Sequence, residues 1–202
     1  MRRRALLAAL AAWVPVAQAL ELSDGRWSAV ATGGNLRLHD RISGDHAVLP
    51  GTDLAGRLRA EAESLHFLPQ RRSLLATWPA LAEWWEVALD PQAPPLHEGF
   101  VHDHRMGEAI ARPGYLAPRR IPLPGAWPRV AFVDERVAWV GALRAGRVAI
   151  VHLDVRRLIA EFELPGADPG AATLDAQGRW RVPAAAGTAL IDTRRWRLLN
   201  LD

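Results

Sequence analysis

Four stretches of this 202-residue chain repeat one pattern: residues 27–50, 65–91, 130–165 and 172–202. Each opens with an alternating apolar run, turns, continues in a second run that closes on an aspartate, and ends in a third run. The matching acids are Asp40, Asp90, Asp154 and Asp192, at spacings of 50, 64 and 38 residues. Alternation with a period of two marks strands, because successive side chains leave a pleated backbone on opposite sides. Val148, Ile150 and His152 take one side of such a run, and Ala149, Val151 and Leu153 take the other. Gly33-Gly34-Asn35, Arg144-Ala145-Gly146 and Ala176-Gln177-Gly178 have the residue types of tight hairpin turns. An aspartate just past a strand suits a turn in which its carboxylate accepts backbone N–H groups, so the four acids read as structural.

A unit of several strands recurring at about 40 to 50 residues is the sequence signature of propeller blades. The expected fold is therefore all-β: a partial, about four-bladed β-propeller, as an open half-ring. The units run from just after an N-terminal leader to the last residue, with no strand left over to lock a ring. Open strand edges call for a partner. A two-layer β-sandwich is the structural alternative. The chain has no cysteine, so no disulfide supports it, and residues 20–202 form one domain held by its core. Nine tryptophans supply bulk for that core or for a pocket.

Residues 1–19 read as a cleavable signal peptide. Arg2, Arg3 and Arg4 make its charged start, residues 5–16 are an apolar run too short to span a bilayer, and Ala17-Gln18-Ala19 is a small-x-small cleavage site. The mature protein is then expected in the periplasm, without a membrane anchor. The whole chain has 25 basic and 22 acidic residues. The leader holds three arginines and no acid, which leaves 22 against 22. That balance argues against nucleic acid or an anionic membrane as a partner.

One segment breaks the repeat. A long insertion at about residues 92–128 widens the middle spacing, and residues 97–123 within it gather the chemistry: His97, His102, His104, Arg105, Arg119, Arg120 and the only tyrosine, Tyr115. Long insertions in a repeat scaffold are commonly functional. In an extended backbone Phe100, His102 and His104 share one face, with Asp103 and Arg105 on the other. Two imidazoles beside an aromatic ring suit iron ligation or hydrogen bonding to an iron-bound anion. Arg105, Arg112, Arg119 and Arg120 suit carboxylates, and Tyr115, with Trp84 and Trp85, suits stacking on a macrocycle. The blander reading of His-x-His is a hydrogen-bonded surface pair, and of Trp84-Trp85 ordinary strand packing. His102, His104 and Glu108 lack the fixed spacing of a zinc set, so no metal site is assigned. No nucleophile elbow, phosphate loop or dinucleotide fingerprint is present.

Residues 71–123, with HDHRMGE at their centre, followed by RVAIVHLDVRRLIAEFELPG at residues 147–166, resemble the propeller that binds haem d1. That family comprises the haem domain of cytochrome cd1 nitrite reductase and its relatives in haem d1 assembly. The resemblance covers about half of the chain, residues 65–166. It implies an eight-bladed periplasmic propeller with haem d1 on its axis, acting in nitrite reduction, hence denitrification, or in making or delivering the haem. It would give His102, His104, Arg105, Arg119, Arg120 and Tyr115 to cofactor binding. The chain matches a shortened, diverged member, and its turn at residues 164–170 has no histidine where relatives carry one. The alternative is a non-catalytic protein–protein interaction module, a half-propeller completed by homodimerisation or by docking on a partner protein.

Overall fold

The computed structural model describes residues 19–98, 110–168 and 171–201. Sixteen of its strands form four antiparallel four-stranded sheets. The first holds β1 (Leu20–Ser23), β2 (Trp27–Thr32), β3 (Asn35–Asp40) and β4 (His46–Pro50) in chain order. The second holds β5 (Ser64–Leu68), β6 (Ser73–Trp78) and β7 (Glu83–Ala88). A long connection follows, carrying its own hairpin of β8 (Leu96–Glu98) and β9 (Ile110–Arg112), before β10 (Pro118–Pro122) completes that sheet beside β7. The third comprises β11 (Arg129–Asp134), β12 (Trp139–Arg144), β13 (Arg147–His152) and β14 (Arg157–Glu163). The fourth comprises β15 (Thr173–Leu174), β16 (Arg179–Ala184), β17 (Gly187–Asp192) and β18 (Arg197–Leu201). The first strands approach one another, β1 against β5 and β5 against β11. The sheets thus fan out from a shared inner edge as the blades of a partial propeller.

Each sheet has one strand more than the three runs legible in the sequence. In the first sheet the extra strand is β1. In the second it is β10, which comes from within residues 92–128. That segment is therefore divided: residues 89–117 are a connection, and residues 118–122 are the outermost strand of a blade. A strand framed by Pro118 and Pro122 lacks the alternating apolar signal, and proline is tolerated there because β10 is an edge.

Three cores lie between consecutive sheets. Trp27, Leu36 and Leu38 meet Leu74, Trp78 and Trp85. Leu75, Trp84 and Ile121 meet Val140, Ala149 and Val151. Val148 and Ile150 meet Trp180, Val182 and Ile191. The middle sheets are covered on both faces, and all six residues of β6 are buried. In the first sheet burial alternates along β2 and β3, because only one face has a neighbour. The β2–β3 hairpin turns on Gly33 and Gly34 with φ of +56° and +67°, the doubly positive geometry that glycine supplies without strain.

The four aspartates do not occupy one position. Asp40 and Asp192 end the third strands of their sheets, opposite Trp27 and Arg179. In the third sheet that place belongs to His152, opposite Trp139, and in the second to Ala88, opposite Ser73. Asp40 Oδ1 accepts the N–H of Ile42 at 2.9 Å and Asp192 Oδ1 that of Arg194 at 2.8 Å. Asp90, two residues beyond its strand, accepts the N–H of Gln92 at 3.0 Å. In the third sheet His152 Nδ1 does this work, accepting the N–H of Asp154 at 3.2 Å. The carboxylate of Asp154 is thereby left for another use.

Candidate functional site

The connection between β7 and β10 is fixed at both ends. On leaving the sheet, Leu89 N–H donates to Arg72 O at 2.7 Å and Asp90 pairs with Arg72 at 2.8 Å. On returning, Leu116 N–H donates to Ala88 O at 2.9 Å. Gly114 passes so close to Pro94 that a Cβ there would stand 2.0 Å from its carbonyl oxygen. Between these feet β8 and β9 pair, Leu96 opposite Arg112 and Glu98 opposite Ile110.

Tyr115 anchors the returning strand to the first sheet. Its hydroxyl donates to Asp45 Oδ2 at 2.7 Å, and its ring meets Trp27 edge-on at 6.5 Å. Burial and the carboxylate of Asp45 push its pKa up to about 12, so the phenol stays protonated as a donor. Tyr115 thus packs within the protein, against the first core.

Arg119 and Arg120, adjacent on β10, point to opposite faces of the second sheet. Arg120 reaches Glu83 at 3.1 Å and lies over the Trp85 ring at 4.5 Å, a cation–π arrangement. Arg119 donates to Glu86 and lies 3.4 Å from Asp154 of the third sheet. Glu86 is 5% exposed and also accepts from Arg71 Nε at 2.7 Å and Ser73 Oγ at 2.9 Å. Burial acts to raise its pKa, but Arg71 and Arg119 outweigh it, and the carboxyl is held below its ordinary range. Arg71 Nη2 reaches Asp154 at 2.6 Å, and Asp154 too is held low by these guanidinium groups against its own desolvation. A continuous ion network, Arg119–Glu86–Arg71–Asp154, clasps the second blade to the third. Glu135 adds to it by accepting the N–H of Gln70 at 2.7 Å.

Above this network lies a cavity of about 530 Å³. The connection supplies its apolar wall: Pro94, Pro95 and Leu96, with Ala117. The opposite wall is charged: Arg71, Glu86, Arg119, Asp154 and Arg156, with His97 at the edge. Its size and mixed lining suit a small organic molecule. Two other hollows, of about 430 and 330 Å³, lie between the first and second sheets and beside Trp180.

His102, His104 and Arg105 lie outside the described residues. The structure brings Arg119 to the cavity, turns Arg120 to the other face, and sets Tyr115 against the first sheet. Trp84 and Trp85 are wholly buried, and Trp84 Nε1 donates to Trp127 O at 2.8 Å, so neither ring is open to a ligand. Glu86 escaped sequence reasoning, which gave Asp154 a structural turn and left Arg71 and Arg156 as solvated hairpin tips. The one available signal was Glu86, a carboxylate set among the apolar residues of β7. Among the described residues no group of three or more His, Asp or Glu side chains is placed to hold a metal ion. None of their helices is long and apolar enough to cross a membrane.

No family model matches the chain, and no curated protein matches it by sequence. Solved structures do match its fold. One is a dihydro-haem d1 dehydrogenase, NirN, in complex with DHE, with 22% identity and a TM-score of 0.62 over 88% of this chain and 35% of that one. Another is apo AztD from Citrobacter koseri, with 9% identity and a TM-score of 0.54 over 89% of this chain and 44% of that one. At these identities the likeness is one of propeller fold. The chain spans between a third and a half of the length of these proteins.

Proposed function

We propose that the chain is an exported, haem d1-associated propeller protein. In this reading it binds the haem or a tetrapyrrole precursor during maturation or delivery, or within a nitrite-reductase assembly. The observation that carries the reading is the connection at residues 89–117, rooted on two fixed feet over a cavity with one apolar wall and one wall of mixed charge. His102, His104 and Arg105 belong to the stretch between those feet. The fold likeness to a dihydro-haem d1 dehydrogenase supports it, as does the HDHRMGE resemblance. The described residues fit such a group through the cavity: a flat apolar macrocycle edged with carboxylates matches the proline and leucine wall and an arginine-bearing wall of mixed charge opposite. His102 or His104 would ligate the iron, and the haem, when bound, supplies redox chemistry. The chain's own residues bind and orient, and no catalytic step is assigned to them. The leader at residues 1–19 belongs to the same reading, as the route to the periplasm.

The test is spectroscopic. Mature protein mixed with haem d1 or a tetrapyrrole precursor is expected to shift the visible spectrum, and His102→Ala to alter that shift. An unchanged spectrum removes the proposal. A second reading, the interaction module, is favoured by Leu54 and Leu58, which stand 76% and 59% exposed on the connection between β4 and β5. Light scattering with a pull-down separates the two, since self-completion requires a stable dimer and docking requires a captured partner.

A further inference from the structure

We infer that Arg156, on the third blade, is the residue that holds a carboxylate of the ligand in the cavity between the second and third sheets. This rests on the tetrapyrrole reading above and names the contact that the sequence had given to Arg119 and Arg120. Those two guanidinium groups already have carboxylates of their own, Glu86 with Asp154 and Glu83. Arg71 is likewise committed to Glu86 and Asp154, and Asp90 is taken by Arg72. Three arginines, Arg71, Arg119 and Arg156, therefore line the cavity against two carboxylates not engaged elsewhere, Glu86 and Asp154. The positive charge left over belongs to Arg156, which is exposed and has no carboxylate partner among the described residues.

Its backbone is fixed. Arg156 adopts φ of +57° in the turn between β13 and β14, and its N–H donates to His152 O at 2.9 Å. From that root the guanidinium offers two parallel N–H groups to a carboxylate. The facing wall of Pro94, Pro95 and Leu96 gives a flat apolar body a surface to lie on. One cation uncompensated among the described residues matches a single carboxylate group. A dianionic phosphate would bring a second negative charge towards Glu86 and Asp154.

The experiment titrates the mature protein with a porphyrin dicarboxylic acid and, separately, with its dimethyl ester, followed by porphyrin absorbance and tryptophan fluorescence. The free acid is expected to bind about tenfold or more tightly than the ester, as the loss of a charge-assisted hydrogen bond implies. Arg156→Gln is expected to bring the acid down to the ester's affinity, and Arg156→Lys to retain part of the difference. Arg181→Gln, on the outer face of the fourth sheet, is expected to leave both unchanged. Equal binding of acid and ester by the unaltered protein, or undiminished acid binding by Arg156→Gln, overturns the role of Arg156 while leaving the tetrapyrrole reading intact. If neither porphyrin binds, both fall.

Discussion

Glu86 is the residue on which the contact between the second and third blades turns. It is buried and accepts from two arginines and a serine. Glu86→Gln keeps the shape but leaves Arg71 and Arg119 short of a counter-charge. The expected loss is about 3 kcal/mol, the low end for breaking a buried pair because Arg71 keeps Asp154. Urea denaturation at neutral pH measures it. The pH dependence has a definite sign. Glu86 and Asp154 have folded pKa values below their unfolded ones, so their contribution is fully present above the unfolded carboxylate range, about 4, and is lost as pH falls from there through the folded values. The unaltered protein should weaken steeply there, and Glu86→Gln should weaken less steeply; identical slopes would remove Glu86 from the account. His152 gives a second test. It fills the place that Asp40 and Asp192 fill in other blades, so His152→Asp should hold stability within about 0.5 kcal/mol, whereas His152→Ala should lose about 1 kcal/mol with the turn's acceptor.

At the scale of elements, the connection at residues 89–117 is positioned by contacts of its feet. Gly114 is there because nothing larger passes Pro94. Gly114→Ala forces the two feet apart at an expected cost of about 1–3 kcal/mol. The opening should appear as faster proteolysis within residues 92–117 before the sheets unfold; unchanged cleavage would mean that the feet are not held as described. This element was only half legible in the sequence. Its histidines and arginines stood out by composition, and the loss of repeat marked where it begins. That the five residues following it form β10 was not legible, because Pro118-Arg119-Arg120-Ile121-Pro122 carries no alternation. The pairing with β7 comes from an edge already in place, not from the strand's own pattern.

At the scale of the molecule, the two flanks of the arc differ from its interior. The outward face of the first sheet presents Glu21, Ser28, Arg37, His39 and His46 around Val30 and Val48, and that of the fourth presents Arg179, Arg181 and Thr188 beside Leu190. The central strands of the middle sheets are largely buried on both faces. Polar outer faces on terminal repeats act as caps in stacked architectures, and burying these charges without partners would be unfavourable. The mature protein is therefore expected to run as a monomer in light scattering at micromolar concentration. A stable dimer would overturn the capping argument and favour the interaction-module reading.

The sequence by itself determined the all-β class, the four units, their turns and the segment where the repeat fails. These follow from local rules: a two-residue period, the φ freedom of glycine, and the cost of leaving apolar faces in water. The tertiary structure alone decided which charged side chains answer one another. Arg71 and Asp154 lie 83 residues apart, and only the stacking of one blade on the next brings them within hydrogen-bond reach. For the same reason Arg119 and Arg120, conspicuous in the sequence, are paired with Glu86 and Glu83, while Arg156, which has no carboxylate partner among the described residues, sits in an ordinary-looking turn. Charge pairing across sheets depends on distance in space, and a linear pattern does not contain that distance.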